Sequence, residues 1–596
     1  MPSRSPQGPR HGAWPLSPTH TRFALWAPDA RSVSLQRDSG ECLPMLPAAQ
    51  GWYELDAPWG VGSRYRFVID DQHPVPDPAA RAQATDVHGY SLVIDPDAYR
   101  WQHPQWRGRP WHEAVIYELH VGALGGYGAV VEHLPRLAAL GVTAIELMPL
   151  AQFPGTRNWG YDGVLLYAPH AAYGSPDDLK ALIDAAHGHG LMVLLDVVYN
   201  HFGPDGNYLG QYAKAFFRED KHTPWGAAID YRQGPVREFF IDNARMWLQD
   251  YRFDGLRLDA VHAIDDSTFL HDLAREVRQH LDPARQVWLT LENEFNQASL
   301  LDPALQALSF DGQWNDDGHN ALHVLLTGET EAYYADFAER PTEHLARCLS
   351  QGFAYQGQPD RHGRPRGEPS GHLPPSAFVL FLQNHDQVGN RALGERLSQL
   401  CPPPALRAAT LLLLLSPMIP LLFMGDEWAA SEPFLFFTDH HAQLADAVRD
   451  GRRNEFAGFP AFADPQRRAA IPDPNARATF EASRPGAPAS AEQQAMLAWH
   501  HHLLKVRQQH LTPHLPGTQA LGAVVLGTGA VSARWRLGDG SVLQIDLNLG
   551  VEPVTRRSAP HARVLAHSTA QPPLAQLPAH SAIATLAAPL PEDPTW

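Results

Sequence analysis

The sequence predicts an α/β fold: a (β/α)8 TIM barrel with an N-terminal β-sandwich of immunoglobulin-like type and a small C-terminal β-sandwich domain. Three observations predict it. From Ala114 onward, eight short apolar runs alternate with stretches of helical period, the pattern of a parallel sheet. The regions on either side read as short β runs punctuated by Gly, Pro and Asp. Four of the apolar runs end in an acid, at the rim where a barrel gathers its reactive groups.

Taken in order, 23–28, 32–35, 52–55 and 65–69 are mostly alternating runs spaced as in a small sandwich. Residues 101–111, with three Trp and two Pro, read as a linker. Barrel strands are expected at 115–121, 143–148, 192–198, 255–259, 287–291, 308–310, 378–382 and 420–424. Helices are expected at 131–140, 176–187, 237–249 and 267–280. An open doubly wound sheet is disfavoured, because no Gly-rich phosphate loop follows any early strand. Two insertions stand out. Residues 199–231 follow the third strand and are rich in Gly, Asp and aromatics, and 355–375 lead into the seventh and are dense in Gly, Pro and Arg. Long loops after barrel strands are expected to build the active-site rim. β-like runs return at 523–526, 531–535 and 541–546, before a Pro- and Ala-rich tail. The domain limits expected from these shifts are 1–105, 106–514 and 515–596.

Charge narrows the partners. A net charge of −18 repels phosphate backbones and anionic lipid, so neither nucleic acid nor a membrane surface is expected, and a neutral ligand is. Sixteen Trp suit a protein that stacks flat apolar rings, although a large core would use them too. Cys42, Cys348 and Cys401 fit no zinc, redox or disulfide pattern. Residues 1–18 lack the apolar run of a signal peptide. The longest apolar stretch, 408–424, is interrupted by Ser416, Pro417 and Pro420 and reads as a buried helix followed by a strand. A soluble, cytoplasmic protein is expected.

The strand-end acids are Asp196, Asp259, Glu292 and Asp386. Carboxylates crowded into one mouth repel one another, a cost that makes sense where chemistry needs them. Glycoside cleavage does: one carboxylic acid protonates the leaving oxygen, and one carboxylate attacks or stabilises the anomeric carbon. Arg257 lies two residues before Asp259, on the same face of a strand, where a fixed cation would keep Asp259 ionised as a nucleophile. Glu292 follows an apolar strand, a setting that suits a general acid. His201 and His385 can donate to sugar hydroxyls, and Tyr161 can stack under a pyranose ring. Each residue alone has a plainer reading, as a helix cap, a structural ion pair or a core ring. Four acids, two His and an Arg at matching strand ends make those readings less economical. Such a cluster could also hold a divalent cation, but there is no EF-hand spacing and no His-Glu-Xaa-Xaa-His run, so no metal and no cofactor are expected.

At these residues the sequence resembles the α-amylase superfamily, glycoside hydrolase family 13. Asp196-Val-Val-Tyr-Asn-His201, Gly255-Leu-Arg-Leu-Asp259, Leu291-Glu-Asn293 and Asn384-His-Asp386 match its four signature segments in order. The resemblance implies a retaining double displacement with Asp259 as nucleophile, Glu292 as acid/base and Asp386 gripping ring hydroxyls. It also implies a −1 subsite lined by Tyr161, Asp162, His201, Arg257, Asn384 and His385. Within the superfamily the chain is most similar to the trehalohydrolase family that acts on maltooligosyltrehalose, in Ile116–Val121, Asp259–Ile264, Gln313–Asp317, Gln383–Arg391 and Phe434–His440. That family cleaves the α-1,4 bond next to a terminal trehalose. The likeness implies maltooligosyltrehalose and related α-glucans as substrates, with His262, Asn315, Asp316, Asp317, His319, Gln387, Asn390 and Arg391 as rim contacts. His262 follows the nucleophile as Val261-His262 where many α-amylases carry Lys-His, in keeping with a different leaving group. A glycogen branching enzyme and a non-catalytic glucan-binding protein are the alternatives.

Overall fold

The computed structural model describes residues 10–557 and 561–589, so residues 1–9 of the N-terminal stretch and 590–596 of the tail lie outside the described residues. Eight parallel strands close into a barrel in chain order: β1 (Ile116–Leu119), β2 (Ala144–Leu147), β3 (Met192–Val197), β4 (Gly255–Leu258), β5 (Trp288–Leu291), β6 (Gly312–Trp314), β7 (Phe378–Phe381) and β8 (Ile419–Phe423). Closure is made by β8 on β1, with Leu421 beside Ile116 and Phe423 beside Glu118.

The helices follow from apolar spacing and caps. In α1 (Tyr127–Leu140), Tyr127, Val130, Leu134, Leu137 and Leu140 recur every three or four residues and are buried, and Gly141 stops the helix in the left-handed region at φ 106°. In α2 (Pro176–Gly188), Ser175 and Asp178 form a capping box around Pro176. α3 (Gly234–Gln249) precedes β4, and α4 (Ser267–His280) is capped by the Asp266 carboxylate. α5 (Asp316–Thr327) and α6 (Pro341–Gln351) lie between β6 and β7, and α7 (Pro403–Leu415) precedes β8.

One strand sits apart from its expected place. The run 308–310 is not a strand: Leu308 ends a 3-10 turn, and the sixth strand is Gly312-Gln313-Trp314. An apolar-run criterion passes over it because its middle residue is polar. Gln313 is buried and donates its amide to the Asn293 carbonyl at 3.0 Å. Between β5 and β6 the chain makes two 3-10 turns, Ala298–Leu301 and Pro303–Leu308.

The stretch 101–111 is more than a connector. Trp106 and Trp111 pack across the barrel floor against Ala114, Ile116, Met192, Trp288 and Ile419. Trp106 Nε1 donates to Asp254 at 3.0 Å and Trp111 Nε1 to the Ser376 carbonyl at 2.8 Å. Gly312 is where Trp111 enters, since a Cβ there would lie 2.7 Å from the indole.

Upstream, two antiparallel sheets enclose Phe23, Trp52, Trp59, Tyr65 and Phe67. They rest on the barrel through His11, whose Nε2 meets the Pro235 carbonyl of α3 at 3.0 Å, and through Asp29, which accepts the Lys214 N–H at 2.7 Å. Downstream, a five-stranded antiparallel sheet and a two-stranded one follow the barrel, and Trp535 Nε1 donates to the Leu349 carbonyl of α6 at 3.1 Å. The insertion 199–231 carries a hairpin, Phe217–Thr223 with Gly226–Ile229. The insertion 355–375 is braced where Arg366 meets Asp317 at 2.7 Å and the Glu368 N–H meets the Asn296 carbonyl at 3.0 Å. Among the described residues, no helix is long and apolar enough to cross a membrane.

Candidate active site

The barrel mouth is organised around one buried cation. Arg257 points inward from β4 and donates through Nη1 to Asp196 at 2.7 Å and to Asp259 at 2.9 Å, and through Nη2 to Glu292 at 2.7 Å. Its guanidinium lies 4.1 Å from the centre of the Trp314 ring, which holds its plane. Asp259 and Glu292, contributed at the ends of β4 and β5, are thus held on the two arms of a single planar fork. The backbone turns sharply between them. Ala260 adopts φ 40°, and its N–H donates to Glu292 at 2.9 Å. Asn200 donates to both the carboxylate and the carbonyl oxygen of Asp259, each at 2.8 Å, and so fixes the direction of that side chain.

Asp386 enters from the loop after β7, inside a short helix (His385–Gly389) capped by Asn384. Its backbone N–H donates to Asn384 Oδ1 at 2.9 Å, and its carboxylate accepts from Asn390 at 3.1 Å and stands 3.5 Å from His385 Nε2. Gln387 completes the cap by accepting the Asn384 N–H at 3.1 Å. His385 is gripped by Glu118 of β1, through the ring Nδ1 and through its backbone N–H at 3.0 Å. Tyr161 stacks on the His385 ring with centroids 5.2 Å apart, and its hydroxyl donates to Asp196 at 2.7 Å. His201 turns its Nε2 to the Tyr161 carbonyl at 3.0 Å, and Asp162 accepts from Asn158 at 2.6 Å.

Burial and charge sort the protonation states. Burial alone would push His385 down, but Glu118 and Asp386 outweigh it and raise the ring to about 9, so it is a cation at neutral pH. Burial raises Asp196 to about 7, against the pull of Arg257. Burial, with Glu292 adding repulsion, raises Asp386, and the same pair of causes holds Asp316 well above the ordinary carboxylate range. Burial lowers His201 despite the nearby Asp259 and Asp162. The mouth thus gathers several carboxyl groups around one fixed guanidinium, with Asp196, Asp386 and Asp316 pushed toward their neutral forms.

The rim residues divide into two groups. His262 accepts the Glu294 N–H at 3.4 Å and packs beside Phe295, and Asp316, whose side chain keeps a partly exposed edge at the mouth, feels the charges of Glu292 and Asp386. Four others are committed to the protein. Asn315 is buried, caps α5 and donates to the Gly352 carbonyl at 2.8 Å. Asp317 is buried under Arg366, Asn296 and two backbone N–H groups. The His319 ring meets the Leu382 carbonyl at 2.8 Å, and Arg391 makes a two-armed pair with Glu329 at 2.7 and 3.0 Å. Sequence reasoning passed over Asn200 and Glu118 as positioning groups. It also passed over three exposed rings on rim loops: Trp225 (48% exposed) stacked on His201, Phe295 (55%) and Tyr333 (70%). Composition hinted at the rings, but no local motif marks which aromatics reach the mouth. Among the described residues, no group of three or more His, Cys, Asp or Glu is arranged to hold a metal ion.

Comparison with known proteins bears on the family and the fold. Residues 118–227 match the model of the alpha amylase catalytic domain, and 518–583 match a domain of unknown function, DUF3459. The malto-oligosyltrehalose trehalohydrolase of Deinococcus radiodurans is 45% identical over 482 residues, covering 79% of this chain and 78% of its own. That of Rhizobium sp. is 40% identical over 562 residues, covering 90% and 92%. A Salmonella typhimurium crystal structure, described as a candidate alpha amylase, superposes with a TM-score of 0.92 at 45% identity, covering 97% of this chain and 100% of that one. With 40–45% identity to these trehalohydrolases over most of its length, the chain belongs to the malto-oligosyltrehalose trehalohydrolase family of the α-amylase class of glycoside hydrolases.

Proposed function

We infer that the chain hydrolyses the α-1,4-glucosidic bond next to the terminal trehalose of maltooligosyltrehalose, releasing trehalose and a maltooligosaccharide. The observation that carries the chemistry is the Arg257 fork, which holds Asp259 at 2.9 Å and Glu292 at 2.7 Å on neighbouring nitrogens. Family membership carries the substrate.

In this reading the Asp259 carboxylate attacks the anomeric carbon of the −1 glucose while Glu292 gives its proton to the glycosidic oxygen. The C–O bond breaks, trehalose leaves as the neutral alcohol, and a covalent glucosyl ester remains on Asp259. Water then enters, Glu292 takes back a proton, and the hydroxide equivalent attacks the same carbon, freeing Asp259 with the starting anomeric configuration. Asp386 and cationic His385 hold ring hydroxyls of the −1 sugar, with Tyr161 beneath it. Trp225, stacked on His201, and Phe295, beside His262, offer exposed flat faces for sugar rings.

The test is product analysis on a maltooligosaccharide with and without a trehalose cap. Free trehalose from the capped substrate, at a kcat/KM well above that for the uncapped one, is the expected result. New α-1,6 branches on amylose would favour a branching transferase instead, and tight glucan binding without products would favour a lectin-like role.

A further inference from the structure

Residues 328–338, between α5 and α6, form an arm with one 3-10 turn, Ala332–Phe337, and few apolar anchors. From it Tyr333 projects with 70% of its surface exposed. Its hydroxyl lies within electrostatic reach of Glu455, Asp386 and Glu294. Asp386 and Glu294 lie in the loops after β7 and β5, beside the proposed catalytic acids, so the ring stands at the barrel mouth. A solvent-exposed ring on a short irregular arm contributes to recognition only if the arm is held.

The arm is held at both ends. At its start, Glu329 accepts from Arg391 Nη1 at 2.7 Å and Nη2 at 3.0 Å, and from His323 Nε2 at 2.8 Å. Arg391 sits five residues after Asp386 in the same loop, and His323 is on α5, so one carboxylate ties three segments. Past Tyr333, Tyr334 stacks on the His323 ring at 4.0 Å and 7°, and Asp336 accepts the Arg361 N–H at 2.9 Å. A two-armed carboxylate–guanidinium pair fixes orientation as well as distance.

We propose that Glu329 is a positioning residue for the leaving-group side of the mouth: clamped by Arg391 and His323, it holds the arm so that Tyr333 faces the trehalose unit as it departs. The proposal rests on the reading of the chain as a trehalohydrolase. It gives Arg391 a part in specificity that passes through Glu329 and not through direct contact with sugar.

The experiment is a double-mutant cycle on the full-length protein with a trehalose-capped maltooligosaccharide, using Glu329→Gln, Tyr333→Ala and the pair. Glu329→Gln is expected to raise KM about tenfold with kcat within about twofold, and Tyr333→Ala to raise KM by a similar factor. The pair should be no worse than Tyr333→Ala alone. Arg391→Lys, which keeps the charge but loses the fork, should reproduce the Glu329→Gln effect, and it serves if Glu329→Gln does not fold. An unchanged KM in Glu329→Gln or Arg391→Lys, a fall in kcat at constant KM, or multiplicative KM effects in the pair would overturn the proposal. Wild-type protein on the same substrate separates the two claims. No trehalose released by wild type sinks the reading of function, whereas trehalose released with no KM effect in the variants sinks only the clamp.

Discussion

Glu118 holds His385 from two directions, meeting its ring Nδ1 and its backbone N–H, the latter at 3.0 Å. The pairing joins the first barrel strand to the loop after the seventh, and it keeps a buried imidazole charged at neutral pH. The sign of the resulting pH dependence can be worked out. A histidine raised from 6.5 to about 9 contributes its stabilising charge fully below pH 6.5 and loses it as pH rises through about 9. Deprotonation of His385 is therefore expected to add an alkaline limb to kcat/KM toward about 9, distinct from the one set by loss of the Glu292 proton. Glu118→Gln removes the main opposition to burial and should bring that limb down by two units or more, to or below the ordinary histidine value. A pH–rate profile unchanged by Glu118→Gln would show that this ring does not govern the limb.

Arg257 serves three carboxylates at once, and a lysine cannot. Its ammonium is a point charge without a planar fork. Arg257→Lys should fold, since one positive charge remains among the acids, but the spacing of Asp259 and Glu292 loses its template. A loss of roughly 10²- to 10³-fold in kcat is expected, on the scale of removing one pre-organised electrostatic partner. Steady-state kinetics beside a thermal melt would check it. A large drop in melting temperature with kcat preserved would make the arginine structural only.

Asp259 and Glu292 are expected to fail in different ways. Asp259→Asn removes the nucleophile and should cost at least roughly 10⁴-fold in kcat on every substrate. Glu292→Gln removes the proton donor, which matters little when the leaving group is an acidic phenol. An aryl α-glucoside should then give a burst of phenol with Glu292→Gln, followed by slow turnover as water attacks without its base. No burst, together with equal losses on natural and activated substrates, would contradict this division of roles.

The barrel was legible in the sequence because its strands are nearly continuous apolar runs, and α4 was placed end to end because a helical period fills 267–280, a start that the Asp266 cap fixes in the structure. β6 escaped because buried Gln313 breaks the apolar pattern, and its burial is tolerated because its amide reaches Asn293 and Asn296 in the loop after β5. The four acids and Arg257 could be read from local motifs. The commitment of Asp317 to Arg366 and of Arg391 to Glu329 could not, since those pairs are 49 and 62 residues apart. The same holds for Asn200 on Asp259, which lies 59 residues away, and for Trp225 on His201, which depends on how the hairpin folds back.

Glu146 supplies the last prediction. It sits on β2 directly beside Glu118 of β1, is 1% exposed, and neither of its carboxyl oxygens has a hydrogen-bond partner among the described residues. Burial, reinforced by Glu118 and Asp196, raises it well above 4.5. A carboxyl raised in the native state binds more protons there than in the unfolded chain, so stability falls as pH rises from 4.5 toward the native value. The cost is about 1.4 kcal/mol for each pH unit in that window. Glu146→Gln cannot titrate and keeps the side-chain volume. Its stability relative to wild type should therefore climb steadily between pH 4.5 and 7 and be least favourable at the acid end. Urea melts of both proteins across that range measure the difference directly. A gap between them that stays constant with pH would mean that Glu146 is ionised in the native barrel, with its charge balanced by a partner yet to be found.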